Sequence, residues 1–425
     1  MKVWAMSSEK VPFTELLSKI IDNRGRTCPT SQTGLPLIAT NCIRNDSLYP
    51  VFEKVRYVSD EVYDNWFRSH PIPGDLIFVC KGTPGRVCLT PDPVNFCIAQ
   101  DMVAVRADPR KIYPKYLLAL LRSDLVQSQI GNMHVGTLIP HFKKGDFDKL
   151  VLPVPDRKVQ EAIGDMYFEF SEKIELNRKM NETLEQMARA LFKSWFIDFD
   201  PVRAKMEGRQ PEGMDAETAA LFPSRLVESE LGLIPEGWEV CPLSERIELI
   251  SGGTPRTTEP VYWGGDIPWF SVKDAPVESD VWVIETEKHV TTDGLHNSSA
   301  QILSEGTTII SARGTVGKLA LVGTEMAMNQ SCYGIRGIKG YGDYFTFFVL
   351  RHATVDIQQR THGSVFDTIT RETFETLPSV YPTGRVAAEF DRTVDSMLTT
   401  IRNNVYHSRT LASLRDTLLP QLMRG

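Results

Sequence analysis

No stretch of this chain is apolar for the roughly 18 residues that a membrane span requires. The longest such run is Tyr116-Leu-Leu-Ala-Leu-Leu121. The start, Met1-Lys-Val-Trp4 followed by Ser7-Ser8-Glu9, is too polar for a secretory signal, so a cytoplasmic protein is expected. Cysteines number seven, an odd count without a Cys-x-x-Cys pair, which argues for reduced, buried thiols and against a metal site. Enzyme signatures are missing too. There is no Asn/Asp-Pro-Pro-Tyr/Phe for amino-group methylation, and Asp198-Phe-Asp-Pro201 is not one. Gly-x-Gly-x-x-Gly, His-Glu-x-x-His and Gly-x-Ser-x-Gly are absent, and eight scattered histidines form no set. The chain reads as a binder rather than a catalyst. Net positive charge is also lacking: the formal charge is −7. By segment it is about +4 over residues 1–155, −5 over 156–235, −8 over 236–383 and +2 over 384–425. Any nucleic-acid role must therefore rest on local basic clusters.

What is present is a long apolar stripe, and it occurs twice. Val159, Ile163, Met166, Phe170, Ile174, Met180, Leu184, Met187, Leu191 and Trp195 recur at steps of three and four, with one rung skipped near Asn177. Val386, Phe390, Val394, Met397, Ile401, Val405, Leu411, Leu414, Leu418 and Leu422 repeat the pattern. About 40 helical residues span roughly 60 Å, the length of a rod. Neither rod hides its stripe alone, so the two are expected to pack on each other as an antiparallel coiled coil.

The repeat extends beyond the rods. Gly74-Asp-Leu-Ile-Phe-Val-Cys-Lys-Gly-Thr-Pro-Gly-Arg86 aligns with Gly306-Thr-Thr-Ile-Ile-Ser-Ala-Arg-Gly-Thr-Val-Gly-Lys318. Arg106 aligns with Arg336, Leu121-Arg122 with Leu350-Arg351, and Ile174, Leu184 and Leu191 with Ile401, Leu411 and Leu418. The offset drifts only downward, from about 232 to about 227 residues, as a duplication followed by small deletions would leave it. The fold class expected is α+β, with two similar globular modules, two long helices and a pseudo-two-fold internal repeat. The boundaries are a first module over 1–155, a first rod over 156–200, a linker over 201–236, a second module over 237–383 and a second rod over 384–425. Asp156 and Thr383 are placed to start the rods, and Pro201 to end the first. One helix is expected from Lys115 to about Ile130, and a short one near Ala216–Leu221. A protein with internal two-fold symmetry suits a target with two halves, such as duplex DNA with separated half-sites.

The loop Lys81-Gly-Thr-Pro-Gly-Arg86 and its counterpart Arg313-Gly-Thr-Val-Gly-Lys318 imitate a P-loop but fail its spacing, with Ala312 where a glycine is needed and Leu319 after the lysine. Two readings stay open: basic ends and a threonine meeting phosphates or base edges, or a plain hairpin turn. The same choice applies to His134-Val-Gly136-Thr137 and His362-Gly363-Ser364. Trp263, Trp269, Lys273 and Trp282 read either as a base-contacting surface or as packing. In the second module Arg313, Lys318, Arg336, Arg351 and Arg360 are expected to share one face. Asn177 and Asn404 either face each other and set the register of the rods, or turn outward.

The segments Asn177-Arg-Lys-Met-Asn-Glu-Thr-Leu184, Leu191-Phe-Lys-Ser-Trp-Phe196 and Asp198-Phe-Asp-Pro-Val202 resemble the specificity subunits of type I restriction–modification systems. So do Glu207-Gly-Arg-Gln-Pro-Glu-Gly-Met214, Ser229-Glu-Leu-Gly-Leu-Ile-Pro-Glu-Gly-Trp238 and the ending Leu418-Leu-Pro-Gln-Leu422. One departure is that Val159-Gln-Glu-Ala-Ile163 fits the Gln-bearing helix start of that family, whereas Val386-Ala-Ala-Glu-Phe390 does not. The resemblance implies two target recognition domains, each reading half of a bipartite, asymmetric DNA site, and rods that set the spacing and dock two methyltransferase subunits. It implies no catalysis and no cofactor in this chain. S-adenosylmethionine, ATP and magnesium would belong to the methyltransferase and translocating restriction subunits. The DNA contacts expected are Lys81, Thr83, Arg86, Arg106, His134, Thr137, Lys273, Arg313, Thr315, Lys318, Arg336 and Ser364. A stand-alone DNA-binding regulator and a protein scaffold without DNA contact are the other classes. The first would bind its site tightly alone, and the second would show no salt-dependent affinity.

Overall fold

The computed structural model describes residues 8–23, 26–133, 140–277, 279–362 and 368–424. The chain divides into two units: residues 1–176 with 408–425, and residues 177–407.

In unit 1 the outermost strands of the globular part close on each other, Glu9–Pro12 pairing antiparallel with Val151–Val154. Inside this clasp lies a four-stranded antiparallel sheet in the order Leu17–Asp22, Met102–Ala107, Leu76–Val79, Val87–Leu89. A second sheet joins Arg56–Val58, Leu35–Ile38 and Cys97–Ile98, the last two in parallel. Leu76-Ile-Phe-Val79 is buried on both faces. Leu76 and Phe78 pack towards the helix Pro114–Arg122, while Ile77 and Val79 enter a separate core with Leu37, Val58 and Phe96. Two cores on one sheet explain why this strand is an unbroken apolar run rather than an alternating one. The single helix expected over 115–130 is broken into Pro114–Arg122 and Asp124–Met133. Ser123 between them is extended (ψ 149°), and its carbonyl accepts from the amides of Val126 and Gln127, so it closes one helix and opens the next.

Unit 2 repeats this plan. Glu239–Pro242 pairs with Pro378–Tyr381. The main sheet runs Ile247–Ser251, Cys332–Gly337, Thr308–Ser311, Leu319–Val322, and the smaller one joins His289–Val290, Trp263–Phe270 and Ala327–Met328, the last pair in parallel. One strand is new: Trp282–Val283 adds parallel to Leu319–Val322. Its helix Asp343–His362 is continuous. The segment expected as a linker is structured. It holds the helices Asp200–Met206 and Ala216–Ala220 and the hairpin Leu226–Ser229 with Gly232–Pro235. Val202, Phe222, Ile234 and Trp238 from this region enter the unit 2 core, which is why its glycines and prolines do not leave it as an open tether.

The rods are the helices Arg157–Phe196 and Gly384–Arg424. Their first turns hang from the carbonyls of Asp156 and Thr383, as expected. They pack antiparallel in unit 2, where Asn181 meets Asn404 while Phe192 and Trp195 meet Phe390. In unit 1, Arg415 lies over Tyr167 and donates to Ser171, and Leu419 packs in the same core as Ile163. The buried line of the first helix is Ile163, Tyr167 and Ser171, then Asn181, Glu185, Ala188, Phe192 and Trp195. It is displaced by one position from much of the apolar stripe. Met180 and Met187 are 40% and 48% exposed. The register pair is corrected accordingly: the amide facing Asn404 is that of Asn181, at 2.9 Å, one turn beyond Asn177, which is itself buried. Asn177 is one of several buried polar side chains on this helix, with Ser171, Asn181 and Glu185. Each rod segment packs on a globular module as well as on the other rod, and polar seam residues find partners there.

Candidate nucleic-acid interface

The two Gly-Thr turns occupy the same place in the two units. In unit 1 the turn joins Leu76–Val79 to Val87–Leu89, and in unit 2 it joins Thr308–Ser311 to Leu319–Val322. The backbone bonds match: Val79 N to Arg86 O and Gly85 N to Val79 O in one, Ser311 N to Lys318 O and Gly317 N to Ser311 O in the other. Gly82, Gly85, Gly314 and Gly317 have φ of 86°, 91°, 78° and 84°, the left-handed region that makes glycine necessary here. The turns are braced differently. Gln127 donates to Gly85 O at 2.8 Å, whereas the hydroxyl of Ser311 bonds Thr315 O and receives Lys318 N. Each is also tied to a later segment of its module, with Gly82 N donating to Pro140 O and Ile369 N to Ala312 O. These are hairpin turns, and Lys81 and Thr83 in one and Arg313, Thr315 and Lys318 in the other stand exposed on them. Arg86 is half-buried beside Asn41, Arg44 and Asn45, residues that no motif had pointed to.

Arg106 is held elsewhere. Its Nε and Nη2 fork onto Asp75 at 2.8 and 3.0 Å, and Asp75 is buried. This pair fastens the strand Met102–Ala107 to the start of Leu76–Val79, which is a structural use of a planar fork. Arg336 is likewise bonded to Asp343 (2.9 Å) and Ser304. The basic face expected in unit 2 is therefore smaller than the sequence implied. Arg336 pairs with Asp343, and Arg351 pairs with Glu185 at 3.0 Å, leaving Arg313 and Lys318 on the turn. The side chain of Arg360, together with His134, Thr137 and Ser364, lies outside the described residues. Lys273 is exposed in the short turn Val272–Asp274, which a Ser271–Asp274 capping box closes. The tryptophans are packing residues. Trp269 and Trp282 are buried, their indole N–H groups donating to Gly253 O and Leu398 O, and Trp263 stands edge-on to Trp269. All seven cysteines are buried free thiols, and burial pushes Cys80, Cys88, Cys97 and Cys332 up to about 12.

Two modules of one fold, each presenting a basic Gly-Thr turn and each followed by a long helix, define an internally duplicated protein. The model of the type I restriction modification DNA specificity domain matches residues 26–186 and again 235–383, once in each module, and the chain belongs to that family. It is 26% identical over 398 residues to the type I restriction enzyme HindI specificity subunit of Haemophilus influenzae, covering 83% of this chain and 86% of that one. It is 25% identical over 354 residues to the MjaIX specificity subunit of Methanocaldococcus jannaschii, covering 80% and 77%. Among solved structures, the S subunit from M. genitalium superposes with a TM-score of 0.58 at 15% identity, over 99% of this chain and 97% of that one, a likeness of fold.

Proposed function

We propose that each module reads one half of a bipartite, asymmetric DNA site, and that the chain carries the address for methyltransferase and restriction subunits that do the chemistry. The observation that carries this is the pair of equivalent turns. Both project cations and a threonine from a rigid hairpin, the arrangement that meets phosphates and base edges from a fixed platform. Lys81, Thr83 and Arg86 serve one half-site, Arg313, Thr315 and Lys318 the other. S-adenosylmethionine, ATP and magnesium are assigned to the partner subunits. The flank of the first helix that leaves Met180 and Met187 exposed is the docking stripe for a methyltransferase subunit, since exposed apolar side chains in line on one helix mark an interface.

Sequencing for N6-methyladenine in host DNA, with and without this chain, tests the assignment. One gapped motif should lose methylation with the chain, and unchanged methylation would refute it. In the assembled complex, Lys81→Ala or Arg313→Ala should lower the slope of log affinity against log salt by about one each. Adding a heptad to Arg157–Phe196 lengthens it by about 10 Å, and the gap in the recognised motif should grow by about three base pairs.

A further inference from the structure

Unit 2 contains a groove of about 510 Å³ between the later half of the first long helix, the Arg313–Lys318 turn and the helix Asp343–His362. Its floor is aromatic: Phe192, Phe347 and Phe348 are each no more than 5% exposed. Its rim is basic, with Arg189, Lys193, Lys318 and His352, and among the described residues no carboxylate lines it. Lys193 is bonded to Asp198. Arg189 and Lys318 form no ion pair among the described residues.

Unit 1 has a smaller groove, about 340 Å³, at the corresponding place, and its charge is opposite. Asp416 stands where the repeat puts Arg189, Pro420 where it puts Lys193 and Ser123 where it puts His352. The arginines of that groove, Arg122 and Arg415, are turned inward. Arg122 donates to the carbonyl of Val87 at 2.6 and 2.9 Å, and Arg415 bonds Asp416 and Ser171. What remains on its rim is Asp46 and Asp124, with Asp416 paired to Arg415. One niche, duplicated with the fold, has thus diverged to carry opposite charge in the two copies.

We propose that the unit 2 groove docks an acidic protein segment bearing a large apolar side chain. The side chain rests on Phe192, Phe347 and Phe348, and a flanking carboxylate pairs with Arg189 on the long helix. A duplex backbone fits less well, because phosphates bury nothing apolar and a desolvated aromatic floor stabilises only apolar atoms. The assignment goes beyond DNA reading and does not depend on it, since Arg189 lies on the long helix rather than on the reading turn.

The test is fluorescence anisotropy of a labelled peptide, Glu-Asp-Phe-Glu-Leu-Asp-Phe-Glu, titrated with the full chain. Saturable binding is expected, weakened about tenfold or more by Arg189→Glu, kept within about threefold by Arg189→Lys, and indifferent to Asp416→Lys in unit 1. Absence of saturable binding at millimolar peptide, or the same affinity in Arg189→Glu, overturns the proposal. So does a random-sequence duplex that displaces the peptide and itself loses affinity in Arg189→Glu, which would make the groove a nucleic-acid surface. Adenine methylation of host DNA is read separately, so a failure here leaves the DNA assignment standing.

Discussion

The two units solve one local problem in different ways. Each must cap the N-terminus of the helix that follows its main sheet, at the point where a long helix crosses it. In unit 1, Tyr113 N donates to Gln160 Oε1 at 2.8 Å, and Gly164 lets the long helix come so close that a Cβ there would lie 2.6 Å from Tyr116 N. In unit 2 the repeat replaces Gln160 with Ala387 and Gly164 with Asp391. Asp391 takes over the cap, its carboxylate accepting Phe345 N at 2.6 Å. Burial pushes the Asp391 carboxyl up to about 7, the amides of Phe345 and Tyr344 oppose this, and the nearby Asp343 and Asp395 add to it. A neutral amide became a titrating group when the cap moved by one turn. The same contrast recurs one layer away. Arg351 pairs with the carboxylate of Glu185, whereas its counterpart Arg122 is satisfied by backbone carbonyls. A duplicated fold conserves the need for a partner and leaves its chemistry free.

The comparison can be broken most severely at Glu185. Glu185→Ala removes the buried carboxylate that pairs with Arg351 and should cost unit 2 about 3–5 kcal/mol, read as a lowered denaturant midpoint. A loss below about 1 kcal/mol would show that carbonyls serve as well there as they do for Arg122. Next in size, Gly164→Ala drives a methyl into the backbone at Tyr116 and should cost unit 1 about 1–3 kcal/mol in the same assay. A neutral result would mean that the close approach is not tight. For the buried amide pair, Asn181→Leu or Asn404→Leu alone should each cost about 1–3 kcal/mol, the first the more because it also removes the donor to Asp280. The double variant should recover part of that loss, and strictly additive costs would remove the pairing. The smallest effect is one of pH. Because the folded-state pKa of Asp391 is raised, the stability it contributes is complete below the ordinary carboxylate range and is lost as pH rises through about 7. Thermal midpoints of unit 2 should fall between pH 5 and 8, and Asp391→Asn should flatten that fall. An unchanged slope in the variant would place the titration elsewhere.

Much of the architecture was legible from local rules. The Gly-Thr turns are readable because left-handed φ at two positions leaves glycine almost no substitute. The duplication is readable because insertions shift a repeat without reordering it. The long helices follow from periodicity. The face each helix buries was not legible. Apolar spacing nominated Met180 and Met187, yet the seam holds Asn181 and Glu185, whose partners Asn404 and Arg351 lie more than 160 residues away. Arg106 and Arg336 read as candidate DNA contacts because sequence shows a cation and hides its counter-ion. Ser123 ended a helix that its apolar neighbours would have continued.

By itself the sequence determined what depends on neighbours along the chain: the repeat, the turns, and two rods with apolar stripes. Tertiary structure alone decided which cations are free, which amides meet, and which of two equivalent niches is acid-rimmed and which base-rimmed. The physical reason is range. Backbone preference and periodicity act over a few residues, whereas a charge is neutralised, or left available, by whatever folding brings within about 4 Å of it.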